Sequence, residues 1–184
     1  KRNIARLPQL AAEKDKKNDP VNRKRKRSAR YIKEASTLDD GDPLQYAKRL
    51  KIYHEEDATI DLATAEIFDR KFKVPEIIWD QLFDYQQTCV KWLWELHQQS
   101  VGGIVGDEMG LGKTVQISSF LGSLHHSKLF KPSMIMCPAT VLRQWVRELH
   151  KWWPQFRVAM YHSSGSSDDR EKTVLDIVNS DNGI

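Results

Sequence analysis

Cysteine is scarce: only two occur among 184 residues, and no Cys-x-x-Cys pair exists. Cys89 and Cys137 each lie in an apolar run, the pattern of buried thiols in a reducing compartment rather than of a disulfide. The six histidines show no metal-ligand spacing, which argues against a zinc site. Long hydrophobic runs are also missing. No stretch nears the ~20 apolar residues of a membrane-spanning helix, and the first residues are too charged for a secretory signal. No membrane partner is expected.

Positive charge is present but local. The net charge of +4 divides into +9 over residues 1–34, −3 over 35–73 and −2 over 74–184. The first segment is lysine-rich and poor in aromatics, so ordering it would bury too little apolar surface, and 1–36 is expected to be a basic disordered tail. Its run Arg23-Lys24-Arg25-Lys26-Arg27 reads as a nuclear-import signal, a phosphate-contacting arm or a merely solvated linker. Residues 37–71 are an acidic, helical accessory linker, with Asp42 capping a helix at Pro43 and Leu44, Ala47, Leu50 and Tyr53 at helical spacing.

From Phe72-Lys73-Val74-Pro75 onward the pattern is that of a globular domain, 72–184. A helix is expected over 79–98 with Leu82, Tyr85, Cys89, Leu93 and Leu96 on one face, and others over 113–126, 140–152 and 169–179. Apolar segments at 103–105, 133–137 and 157–161 read as strands. Thr140 is placed to cap its helix, and Val141, Leu142, Trp145, Val146 and Leu149 to face the core. This alternation predicts an α/β fold with a parallel sheet, whose ligands sit at the carboxyl ends of the strands.

At one such end stands Asp107-Glu108-Met109-Gly110-Leu111-Gly112-Lys113-Thr114. Strand, glycine loop, Lys-Thr and helix together make a phosphate cradle. Glycines at 110 and 112 let successive N–H groups turn inward, and the helix places its positive end at the same spot. Lys113 would reach the β- and γ-phosphates of a nucleotide triphosphate, and the Thr114 hydroxyl would ligate magnesium. The strict pattern G-x-x-x-x-G-K-[ST] is broken, because Asp107 stands where the first glycine belongs. The competing reading is an ordinary helix start that uses glycine for its turn.

Several segments resemble the first RecA-like lobe of the SWI/SNF-type DNA-dependent ATPases of helicase superfamily two. The loop from Asp107 to Thr114 is similar to that family's form, aspartate included. Tyr85-Gln86 with Trp92-Leu93 resembles its first helix, although Cys89 stands where many members have glycine. Met136-Cys137-Pro138-Ala139-Thr140-Val141, with Gln144-Trp145 and Glu148 to Trp152, resembles the segment that meets the DNA backbone. Phe72-Lys73-Val74-Pro75, Tyr85-Gln86-Gln87-Thr88, Gln144-Trp145-Val146 and Trp152-Trp153-Pro154 look like the Cockayne syndrome group B branch of transcription-coupled repair ATPases. The resemblance is dense over 72–161 and thin before it.

This resemblance implies a nuclear ATP hydrolase that translocates on double-stranded DNA, as chromatin remodellers do, with stalled RNA polymerase II as a partner. It places ATP on residues 107–114, with Gln86 on the base, magnesium on Thr114, and DNA phosphates on Pro138, Ala139, Thr140 and Arg143. Taken without the resemblance, Gln86 faces solvent, Thr140 is only a helix cap, and Arg143, Arg147 and Lys151 form a solvated face. Trp145, Trp152 and Trp153 read as packing residues. No apolar strand ending in Asp-Glu and no second lobe occur in the 184 residues, so this chain is expected to hold ATP phosphates yet hydrolyse almost nothing. Two alternatives stand beside the motor. One is a P-loop phosphotransferase or GTPase, for which no acceptor motif is found. The other is a non-catalytic scaffold that binds nucleic acid or a protein partner.

Overall fold

A computed structural model of the protein describes residues 39–56, 65–67, 71–161 and 167–184, all within one compact unit, 36–184. The basic run Arg23–Arg27 and the tail expected over 1–36 lie outside the described residues.

Helix α1 spans Pro43–Glu56. Asp42 Oδ1 accepts the Leu44 N–H at 2.9 Å, so the expected cap is formed, with Pro43 in the first position where no donor is needed. Its buried face matches the expected one only in its second half, at Leu50 and Tyr53. Leu44 is 79% exposed and Ala47 is exposed, whereas Arg49 and Tyr53 are buried and Tyr46 and Leu50 half-buried.

Arg49 can be buried because a carboxylate waits for it. Its Nε and Nη2 donate to Asp40 at 3.0 and 2.7 Å, and its Nη1 and Nη2 donate to the carbonyls of Pro154 and Phe156. Asp40 also accepts from His150 Nε2 at 2.8 Å and from the Val158 N–H at 3.1 Å. Burial alone would raise the Asp40 carboxyl, but the hydrogen bonds and charges of His150 and Arg49 outweigh it and hold the group below its usual value. Burial pushes the His150 imidazole down, against the pull of Asp40. The neutral ring therefore donates from Nε2, since a carboxylate only accepts, and its buried Nδ1 is left without a partner.

A short antiparallel pair follows, β1 (Ala65–Ile67) with β2 (Lys73–Pro75), in the register Ala65↔Pro75, Glu66↔Val74 and Ile67↔Lys73. Phe72 and Val74 are fully buried, and the Phe72 ring stacks on Trp94 at 4.5 Å between centroids. The single helix expected over 79–98 is two. The turn α2 (Glu76–Trp79) ends before α3 (Asp84–Gln98), because Phe83 is extended and its N–H is taken by Gln86 Oε1 at 3.1 Å, half of a capping box. Gln86, Val90 and Trp94 are buried in α3, one position along from the expected face of Tyr85 and Cys89. Cys89 and Cys137 are half-buried free thiols, and burial pushes the Cys89 thiol up.

Helix α4 (Lys113–His126) is the centre of the fold and packs against β2, α3 and α5 (Ala139–Trp152). Its buried residues include Ser118, Ser119, Gly122 and Ser123, small enough for close neighbours. A Cβ on Gly122 would lie 3.1 Å from the Trp153 side chain, so glycine there is what lets that indole in. On α5 the expected inner face is found, with Val146 and Leu149 buried and Val141, Leu142 and Trp145 half-buried. Its last turn adds His150, which the apolar pattern did not mark. Helix α6 (Ser167–Val178) closes the described chain before a turn at 179–182.

The parallel sheet expected from 103–105, 133–137 and 157–161 is not formed among the described residues; the strand assignments there are corrected. A strand requires a hydrogen-bonded neighbour, and the 102–106 and 134–136 segments lack one, leaving Ile104, Met134 and Met136 90, 81 and 85% exposed. Parallel pairing does begin at a single bridge, Arg157↔Gly183. There the Ile184 N–H donates to Arg157 at 2.9 Å, the Ala159 N–H to Ile184 at 2.9 Å, and the Ser133 N–H to Gly183 at 3.1 Å.

Candidate nucleotide-binding site

Gly110 and Gly112 take φ of +91° and +76°, in the left-handed region that favours glycine. Gly112 is the N-cap of α4 and makes no side-chain cap bond, so the first N–H groups of the helix stay available to an anion. A Cβ on Gly112 would also lie 2.6 Å from Gln86 Nε2, whereas one on Gly110 would meet nothing within 4 Å. Glycine is thus required twice over at 112 and by backbone angle alone at 110.

Three side chains hold the loop. Lys113 Nζ donates to the carbonyls of Asp107 at 2.5 Å and Glu108 at 2.8 Å. Gln86 Nε2 donates to the Leu111 carbonyl at 3.2 Å, so this glutamine reaches the loop and does not face solvent. Gln116, one turn into α4 and fully buried, donates from Nε2 to Asp107 Oδ2 at 2.9 Å. Gln116 escaped the sequence reading; the signal available was a polar residue in the buried stripe of the helix that follows the loop. Glu108, Met109 and Leu111 are exposed, Met109 at 96%. Thr114 lies half-buried in the first turn of α4.

Pro138, Ala139, Thr140 and Arg143 form a second, separate group at the start of α5, all of them exposed. The N-cap is Pro138, with no side-chain cap bond, so Thr140 is the second residue of the helix and not its cap. The chain is already extended at Pro138 (φ −58°, ψ 142°), and the helix starts directly behind that proline. No hydrogen bond joins this group to the loop among the described residues. Trp153 Nε1 donates to His125 Nδ1 at 3.0 Å, which ties the ends of α4 and α5 together and leaves both starts, the loop and 138–140, away from that joint.

The SNF2-related domain profile matches residues 85–181. The chain belongs to the SNF2-related family. It is 46% identical over 160 residues to the DNA excision repair protein CSB of Oryza sativa subsp. japonica, covering 86% of this chain and 13% of that protein. Against the human DNA excision repair protein ERCC-6 it is 45% identical over 164 residues, 76% of this chain and 11% of the relative. Against the DNA repair and recombination protein RAD26 of Saccharomyces cerevisiae (strain ATCC 204508 / S288c) it is 44% identical over 143 residues, 70% and 13%. Within the family it sides with the Cockayne syndrome group B branch, and it spans 11–13% of the length of these three relatives. The family is one of DNA-dependent ATPases with a RecA-like α/β fold.

The residues present fit the triphosphate that the family uses. Two left-handed glycines, an uncapped helix start and a lysine ammonium resting on loop carbonyls bring hydrogen-bond donors together at one short stretch. For magnesium, Thr114 offers one oxygen, and no group of three or more His, Cys, Asp or Glu is placed to hold a metal among the described residues. No helix among them is long and apolar enough to cross a membrane.

Proposed function

We propose that this chain is the ATP-gripping part of a DNA-dependent ATPase that translocates on double-stranded DNA, acting in the nucleus in transcription-coupled DNA repair at stalled RNA polymerase II. The observation that carries the reading is the loop itself, with left-handed glycines at 110 and 112 and Lys113 over the carbonyls of residues 107 and 108. The relatives, DNA excision repair and DNA repair proteins, supply the biological direction.

When bound, ATP with magnesium supplies a phosphoanhydride whose hydrolysis can drive a conformational cycle. Lys113 exchanges two carbonyl acceptors for phosphate oxygens, a better partner for an ammonium. Thr114 offers its hydroxyl as a magnesium ligand. Gln86, already reaching the loop, recognises the base, and residues 107–112 wrap the phosphates. Pro138, Ala139, Thr140 and Arg143 contact DNA phosphates at the free start of α5, a mode that reads no sequence. Residues 1–36 serve as a basic tail, 37–71 as an accessory segment and 72–184 as part of the first lobe. The 184-residue chain alone hydrolyses almost nothing.

The test is ATP turnover by the full-length protein that carries this chain, with and without duplex DNA, beside its Lys113→Ala variant. Hydrolysis stimulated by DNA and lost in the variant is the expected result. No turnover in either protein, with DNA binding intact, overturns the motor and leaves a scaffold.

A further inference from the structure

The family's loop replaces the first glycine of the general phosphate-loop pattern with Asp107, a carboxylate beside a site for an anion. Left free, that carboxylate could swing across the loop and occupy the N–H groups meant for phosphate. It is not free: Gln116 Nε2 donates to Asp107 Oδ2 at 2.9 Å. The Asp107 carbonyl accepts separately from Lys113. One residue is therefore held at both its side chain and its backbone, from two positions on the same helix.

Gln116 is an odd choice for packing alone. The residue is fully buried, and its Oε1 has no hydrogen-bond partner. A carboxylate only accepts, so the amide must turn its nitrogen to Asp107 and its oxygen to the interior. An orphaned buried oxygen lowers stability, and an apolar side chain of similar size would remove the defect. The amide is explained by what its nitrogen does.

We propose that Gln116 is a positioning residue for nucleotide binding: it pins the Asp107 carboxylate against α4 and so keeps the phosphate loop open to an anion. The bond becomes most important when ATP enters. Lys113 then leaves the Asp107 carbonyl for phosphate, and Gln116 is the remaining anchor on that residue. The inference rests on the nucleotide-binding reading above and deepens it.

A double-mutant cycle on the 184-residue chain tests it, with affinity for methylanthraniloyl-labelled ATP plus magnesium as the first readout and thermal unfolding as the second. Gln116→Leu should weaken binding about tenfold, the low end for a hydrogen bond to a charged group, while its melting temperature stays level or rises. In an Asp107→Gly background, where no carboxylate needs holding, Gln116→Leu should cost no affinity. Gln116→Glu keeps the size, sets a second carboxylate against Asp107 and should weaken binding as well, which preserves the test if the leucine variant fails to fold. Wild-type affinity in both Gln116 variants overturns the proposal, and so does an equal loss with and without Asp107, which would mark a packing role. If Lys113→Ala also binds like wild type, the nucleotide reading falls and the proposal with it; a Lys113→Ala loss alongside intact Gln116 variants removes the proposal alone.

Discussion

The phosphate loop and the Asp40 brace are both dense in polar groups, and they use them in opposite ways. In the loop, half-buried Lys113 sits on two backbone carbonyls, buried Gln86 on a third, and the start of α4 is uncapped. The proposed function requires the Lys113 bonds to be exchanged for bonds to a ligand. In the brace, Arg49, His150 and the Val158 N–H converge on a carboxylate with no exposure, and nothing there is free to be exchanged. The comparison teaches that exposure, more than polarity, separates a binding site from a structural tie.

The largest effect that can break this contrast is expected in the brace. Asp40→Ala leaves the Arg49 guanidinium buried without its counter-ion, which costs about 3–5 kcal/mol. Urea unfolding should show that loss; a loss under about 1 kcal/mol, the value of an exposed pair, would mean the brace is no tie at all.

Next comes the loop's own backbone. Gly112→Ala places a side chain at φ +76° and a Cβ 2.6 Å from Gln86 Nε2, so it should cost about 2 kcal/mol and displace Gln86. Gly110→Ala meets open space and carries the angular cost alone, about 1 kcal/mol. Equal stability losses in the two variants would contradict the geometry.

The smallest effect is a titration. His150 is held below its ordinary value of 6.5, so the unfolded chain takes up a proton first as the pH falls. Stability is therefore full above about 6.5 and declines as pH drops toward the folded value, by at most about 1.4 kcal/mol per unit for this one proton. His125 and His126, also lowered chiefly by burial, act in the same direction. His150→Gln should flatten the decline in part. An unchanged slope would show that His150 is not the buried neutral ring described here.

The same two regions show what a sequence reveals. The turn of the loop was legible because glycines stand at 110 and 112, the two positions where its backbone takes a positive φ. The brace was not, because it joins Asp40 to His150 and Val158 across more than a hundred residues, and no local window contains it. Arg49 and Gln116 are illegible for a related reason: each is a polar residue in a buried stripe, made tolerable by a carboxylate nine residues earlier that no apolar periodicity marks. The helices of 113–126 and 139–152 could be read from periodicity alone. The apolar runs at 103–105 and 133–137 have the composition of strands, but a ladder depends on neighbours that composition does not supply. Thr140 has the residue type of a cap, but Pro138 holds that place.

The central claim is that residues 107–114 grip the phosphates of a nucleotide. Calorimetric titration of ATP with magnesium into the 184-residue chain, wild type beside Lys113→Ala, tests it most directly. Binding in the wild type that disappears in the variant is the predicted result; identical heats in both would contradict it.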